Sequence, residues 1–197
     1  PANAVRIEEM NNYFNYSYAD PIGEAPIALY SELSDCPWNP AHKLARIALK
    51  GKALDLEEAP KSNLVFLLDV SGSMDAYDKL PLLKKSLKLL VNNMREEDRV
   101  AIVVYASASG LVLGSTSARK KDKIIEALDK LDAGGSTAGG EGLRLAYKVA
   151  EENFIKNGNN RVILATDGDF NVGESSDEAM VKLIEEKRES GIFISVL

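Results

Sequence analysis

The chain is short of the side chains that carry most acid–base and soft-metal chemistry: one cysteine, one histidine and one tryptophan among 197 residues. The single thiol, Cys36, excludes an internal disulfide and any cysteine-rich zinc site, and leaves the compartment open. The lone histidine, His42, lies outside the region where the motifs below gather. It is read as structural or exposed rather than catalytic. No Gly-x-Ser-x-Gly elbow and no G-x-x-x-x-G-K-[ST] phosphate loop occurs, which removes two large classes of hydrolase and nucleotide-binding protein. Positive charge is also in deficit. Lys and Arg number 24 against 30 Asp and Glu, a net charge of −6, and no basic stripe offsets it, so no nucleic-acid partner is expected. The one basic cluster, Arg119-Lys120-Lys121-Asp122-Lys123, opens a helical pattern and reads as a solvated helix face. No apolar run approaches the roughly 20 residues of a transmembrane helix, so no membrane span is predicted.

What is present is ordinary globular composition, 45% hydrophobic and 27% charged, enough for one sizeable core with a smaller attached segment. The division expected is an accessory segment over 1–60 and a main domain over 61–197. The chain opens without an initiator methionine or a signal peptide and closes on Ile192-Phe193-Ile194-Ser195-Val196-Leu197, which reads as the middle of a sheet. The expectation is an excised piece of a longer protein.

From Lys61 onward, buried strands alternate with amphipathic helices. That order predicts a doubly wound α/β fold: a mostly parallel, Rossmann-like sheet with helices on both faces. Continuous apolar runs predict strands at Leu64–Leu68, Val100–Tyr105, Arg161–Ala165 and Ile192–Leu197. A shorter run, Leu111–Leu113, is the expected antiparallel hairpin partner of the second. Helical spacing links Leu83, Leu87, Leu90 and Met94, with Pro81 in the first turn, and then Ile124, Leu128 and Leu131. A third helix over 139–157 carries Leu143, Ala146, Ala150 and Phe154. A fourth carries Met180, Leu183 and Ile184 after the capping pair Ser175 and Glu178. In the N-terminal segment, Ala25–Leu33 and His42–Lys50 are candidate strands.

Asp69-Val70-Ser71-Gly72-Ser73 arrives directly after the apolar run Asn63–Leu68. One carboxylate and two hydroxyls at alternate positions are oxygen ligands suited to a hard divalent cation, Mg²⁺ or Mn²⁺, with Ca²⁺ a third candidate. The same residues also suit a helix cap, so context has to decide. In an open parallel sheet, ligands bind beyond the carboxyl ends of the strands. The strand Arg161–Ala165, parallel to the first, releases Thr166-Asp167-Gly168 there. The hairpin at 107–110 turns the chain down, so the next helix climbs back and delivers Gly134-Gly135-Ser136-Thr137 to the same rim. Glycines on both sides of Thr137 leave its loop free to approach an ion. Asp69, Ser71, Ser73, Thr137 and Asp167 are therefore the candidate metal ligands. Two carboxylates close together need a counterion, which a divalent cation supplies.

These residues, in this order, resemble the metal-ion-dependent adhesion site of von Willebrand factor type A domains. The resemblance covers 61–197 and implies that Ser71, Ser73 and Thr137 bind the ion directly. It implies that the aspartates bind directly or through water, and that an Asp or Glu carboxylate of a partner protein completes the octahedron. The implied function is cation-dependent protein binding, not catalysis. The N-terminal Val5–Phe14 stretch and Cys36-Pro37-Trp38-Asn39-Pro40 resemble a bacterial subgroup with an associated N-terminal segment, whose members often look like cell-envelope lipoproteins. Against that pattern, the last strand and helix of the domain are missing after Leu197.

Three other readings compete. An EF-hand loop would use Asp167, Asp169, Asn171 and Glu178, but Val172 stands where glycine is required and a strand precedes the loop. A phosphotransferase with Asp69 as nucleophile would want an aspartate where Ser71 stands, since a hydroxyl cannot protonate a leaving group at neutral pH. A scaffold binding partners through its N-terminal segment keeps the fold and reduces the rim to loop order.

Overall fold

The computed structural model describes residues 9, 12–53, 58–106, 109–134, 139–168 and 177–197. The chain divides into two compact units, Pro1–Ala59 and Pro60–Leu197.

The larger unit is built on β3 (Ser62–Asp69), an eight-residue strand whose residues 63–69 are all buried. A strand with no polar face must be covered on both sides, and this one is. Leu64, Phe66 and Leu68 face one core; Val65 and Leu67 face the other. β3 pairs in parallel with β4 (Arg99–Tyr105) on one edge and β6 (Asn159–Ala165) on the other. β7 (Ile192–Val196) extends the parallel run beyond β6, and β5 (Ser109–Ser117) closes the opposite edge antiparallel to β4. The order is β5-β4-β3-β6-β7, the mixed, mostly parallel sheet of a doubly wound fold.

Helices α1 (Leu80–Asn93) and α2 (Lys121–Asp129) bury Leu87, Val91, Ile124 and Leu128 against the first face. α3 (Gly139–Glu152) buries Leu143, Ala146, Tyr147 and Ala150 against the second, where Met180, Leu183 and Ile184 of α4 (Asp177–Glu189) also pack. The spacing of these residues by three, four or seven positions is the reason each segment is helical and the reason it lies where it does.

Several expectations need adjusting. β5 runs nine residues, not three, because an edge strand needs no continuous apolar run; Leu111 and Val112 are exposed and Leu113 is buried. α3 stops at Glu152, so Phe154 lies past its end and is 44% exposed. Asn157, with φ 60, adopts a conformation no helix continues through. Leu90 is also substantially exposed, so not every apolar residue at helical spacing is core. Pro81 does sit in the first turn of α1. Ser175 of the expected capping pair lies outside the described residues.

In the smaller unit, β1 (Ile27–Asp35) and β2 (Lys43–Gly51) form an antiparallel ribbon, with Leu29 opposite Leu49 and Glu32 opposite Arg46. On one face Tyr18 stacks on Tyr30 with centroids 5.0 Å apart, and the Arg46 guanidinium lies 5.3 Å from the Tyr16 ring. The other face presents Leu29, Leu33, Ile47 and Leu49, all exposed. His42 is exposed in the connecting turn, its Nδ1 3.3 Å from Asn39 Nδ2.

The amino ends of the central strands carry a structural polar cluster. Asp98, whose side chain is only 7% exposed, accepts from the N–H of Ser62 at 2.8 Å, the N–H of Arg95 at 2.9 Å and the Arg95 guanidinium at 3.0 Å. Burial works against its charge, but the Arg95 hydrogen bonds, the Ser62 N–H and the Arg95 charge outweigh it and hold the carboxyl below its ordinary range. Asp98→Asn should cost roughly 2–4 kcal/mol at neutral pH, measured by denaturant unfolding. A depressed pKa stabilises fully above the unfolded value and loses that stabilisation as pH falls through the folded one. The gap between wild type and Asp98→Asn should therefore shrink below about pH 4.

Candidate functional site

At the carboxyl end of the sheet, β3 finishes on Asp69, on the same side as Val65 and Leu67, because side chains alternate along a strand. Its carboxylate is fully buried. A charge there has to be matched by donors, and three are in place: the Ser71 N–H to Oδ1 at 2.8 Å, and the Tyr105 hydroxyl at 3.3 Å and Thr166 Oγ1 at 3.4 Å to Oδ2. Tyr105 stands opposite Asp69 in the β3–β4 register, and its carbonyl accepts the Val70 N–H at 3.1 Å. Burial first, and then the neighbouring carboxylate charge, push the Tyr105 phenol well above its ordinary pKa, so it stays a protonated donor.

After Val70 the chain enters a short 3-10 turn, Gly72–Asp75, in which the Met74 N–H donates to the Ser71 carbonyl at 3.0 Å. That turn stacks Ser71 and Ser73 so that their hydroxyl oxygens lie 3.1 Å apart. From the far side of β3, β6 ends at Ala165 and is followed by Thr166 and Asp167. Gly168, at φ +102, takes a backbone conformation that a side chain would strain. The Asp167 side chain is 12% exposed. The Lys79 ammonium joins the two arms, donating to Asp167 Oδ2 at 2.7 Å and to the Ser73 carbonyl at 2.9 Å.

The four described candidates, Asp69, Ser71, Ser73 and Asp167, thus converge on one rim through a continuous set of contacts. Thr137 lies outside the described residues. The nearest described position before it, Gly134, donates its N–H to the Val70 carbonyl at 2.7 Å. Asp169 and Asn171 of the EF-hand reading also lie outside the described residues, while Asp167 follows strand β6, not the helix that reading requires. Of the basic cluster, Lys121 donates to the Asn92 carbonyl at 2.6 Å and Arg119 pairs with Glu96 at 3.0 Å, which leaves no assembled anion site from these two.

Sequence reasoning placed Thr166 on the rim beside Asp167 without giving it a role, and passed over the part played there by Tyr105 and Lys79. Tyr105 could have been found by aligning the ends of adjacent strands. Lys79 carries no signal of its own; only the folded position of the turn before α1 brings it to the rim.

The donor set is hard oxygen throughout. Among the described residues no group of three or more His, Cys, Asp or Glu clusters, so a cation here would depend on hydroxyls and water beside the two carboxylates. That chemistry fits Mg²⁺ or Mn²⁺ and does not fit zinc. Beside the rim, a largely apolar cleft of about 450 Å³ is lined by Leu82, Leu83 and Leu197 together with Lys79 and Asp167.

A mixed, mostly parallel sheet between helices, with oxygen donors at its carboxyl rim, defines a Rossmann-like α/β domain. Residues 64–170 match the von Willebrand factor type A domain family, and residues 1–46 match a second family described as von Willebrand factor. The chain belongs to the von Willebrand factor type A family, whose domains are generally protein-interaction modules. It is 46% identical over 205 residues to the uncharacterized protein YfbK of Escherichia coli K12, covering 99% of this chain and 35% of that protein. The chain thus spans about a third of the length of that relative. Among solved structures, the conserved hypothetical protein BatB from Bacteroides thetaiotaomicron superposes with a TM-score of 0.58 at 24% identity, covering 68% of this chain and 65% of that one. A von Willebrand factor type A protein from Catenulispora acidiphila superposes with a TM-score of 0.57 at 19% identity, covering 92% and 42%. These two likenesses speak to the fold.

The site leans on close packing behind it. A Cβ added at Gly142, in the first two turns of α3, would stand 2.9 Å from Tyr105 Cβ and 3.2 Å from Leu67 Cδ1. Gly142→Ala should lower stability by roughly 1–3 kcal/mol, read as a reduced thermal midpoint, despite the better helix propensity of alanine.

Proposed function

We propose that this chain is a non-enzymatic protein-binding module whose rim holds a divalent cation on Asp69, Ser71, Ser73, Thr137 and Asp167. A carboxylate from an Asp or Glu of a partner protein completes the coordination. The site is of the metal-ion-dependent adhesion type, with Mg²⁺ or Mn²⁺ preferred and Ca²⁺ the third candidate. The observation that carries the reading is the convergence of a fully buried carboxylate, two hydroxyls 3.1 Å apart and a second carboxylate, its side chain 12% exposed, just past the end of the neighbouring strand. With only two carboxylates and neutral hydroxyls as ligands, a divalent ion would keep its electrophilic character and water-filled positions that an anionic ligand can take. Ser71, where an aspartyl phosphotransferase would want an acid, supports binding over catalysis. The bacterial envelope setting implied by the resemblance belongs to this proposal, and fractionation of the full-length protein tests it. Among the described residues, no helix is long and apolar enough to cross a membrane.

One observation favours a second route to partners. The exposed apolar face of the β1–β2 ribbon, Leu29, Leu33, Ile47 and Leu49, is the kind of surface a partner covers. Recovery of partners with and without EDTA separates the two: loss on chelation supports the metal bridge, and indifference to it assigns the interface to the ribbon.

Isothermal titration with Mg²⁺ or Mn²⁺ should show saturable binding that Asp69→Asn and Asp167→Ala each abolish. Thr137→Ala should weaken it by about tenfold or less, since a neutral ligand is lost and water can substitute. Unchanged binding in both aspartate variants would sink the assignment.

A further inference from the structure

Lys79 matches no motif, yet its ammonium joins the Ser73 arm of the rim to Asp167. Its backbone is held on both sides: its N–H donates to the Ala76 carbonyl at 2.9 Å, and its carbonyl accepts the Leu83 N–H at 2.8 Å. The side chain leaves this anchored position at the start of α1 and is 36% exposed. It reaches a carboxylate that is only 12% exposed, so the pair is more shielded than an ordinary surface ion pair.

We infer that Lys79 is a tethered cation that neutralises Asp167 and thereby sets how tightly the rim holds a divalent ion. This rests on the metal-binding reading above and deepens it. Asp167 can give its full charge to a divalent ion only by sharing or giving up the ammonium at 2.7 Å. An ammonium that stays would sit close to the incoming ion and repel it. Either way the lysine weakens cation binding, and at separations of a few ångströms in a partly shielded site the effect is about a factor of ten or more. The same ammonium holds the arm that ends on Ser73 against the arm that carries Asp167, and so keeps the rim assembled while no divalent ion bridges the carboxylates. Lys79 is therefore a positioning residue with opposite effects in the two states: stabilising in chelator, competing when the ion arrives.

The test uses the chain as it stands, with Mg²⁺ alone as the probe, on wild type, K79M and K79R. K79M removes the charge and keeps the length; K79R keeps the charge. Calorimetry is expected to give K79M an affinity about tenfold or more above wild type, with K79R close to wild type. Binding that is measurable only in K79M supports the inference in its stronger form. Equal or weaker binding in K79M, beside a wild type that binds, overturns the role of Lys79 and leaves the metal site standing. Absence of binding in all three proteins removes the metal site and the inference with it. Thermal unfolding with and without Mg²⁺ supplies a second readout, and its Mg²⁺-dependent gain is the part that a merely structural lysine would not move. K79M should melt below wild type in EDTA, and its gain on adding saturating Mg²⁺ should exceed that of wild type, because stabilisation grows with affinity. Equal gains in the two proteins would count against the inference.

Discussion

Strand β3 is hydrogen-bonded in parallel on both edges, and nearly everything at the rim depends on that pairing. Parallel neighbours end on the same side, so β3 and β6 release Asp69 and Thr166-Asp167 at one edge of the sheet. β4 sets Tyr105 directly beside Asp69 in the register. An antiparallel arrangement of the same residues would send the two carboxylates to opposite ends of the domain. The pairing is in turn imposed by the apolar content of β3, which can be buried on both faces only between two layers of helices.

The two ends of the sheet treat their carboxylates differently. At the amino end, Asp98 is wrapped by Arg95 and by backbone N–H groups of its own neighbourhood, a self-contained arrangement that ties the turn before β4 to the start of β3. At the carboxyl end, Asp69 is held by longer bonds from Tyr105 and Thr166 beside one good backbone donor. Asp167 accepts from the Lys79 ammonium at 2.7 Å. The first arrangement has the geometry of a structural lock, while the second leaves oxygen atoms near one another with softer partners that can be exchanged.

The central strands were legible because burial on both faces forces a continuous apolar run, and Asn63–Leu68 is one. The edge strand β5 was legible only in part, since one face meets water and the run shrinks to Leu111–Leu113. Phe154 and Leu90 fit the helical period without being buried, because periodicity records which face a residue would take and not whether anything covers it. At the rim, Asp69, Ser71 and Ser73 are local in sequence and easily seen, and Asp167 followed from topology. Tyr105 and Lys79 act across distances of 36 and 88 residues from their partners, and nothing in the local sequence marks them.

The β1–β2 ribbon has its own consequence. One face is ordered by tyrosines and Arg46, while the other is a strip of aliphatic side chains in contact with water. A two-stranded ribbon of that kind is marginal by itself, and its aliphatic strip invites the same strip on another molecule. Cut free of the rest of the chain, this segment would behave as a seed for self-association, which makes it a poor point at which to trim the protein for expression.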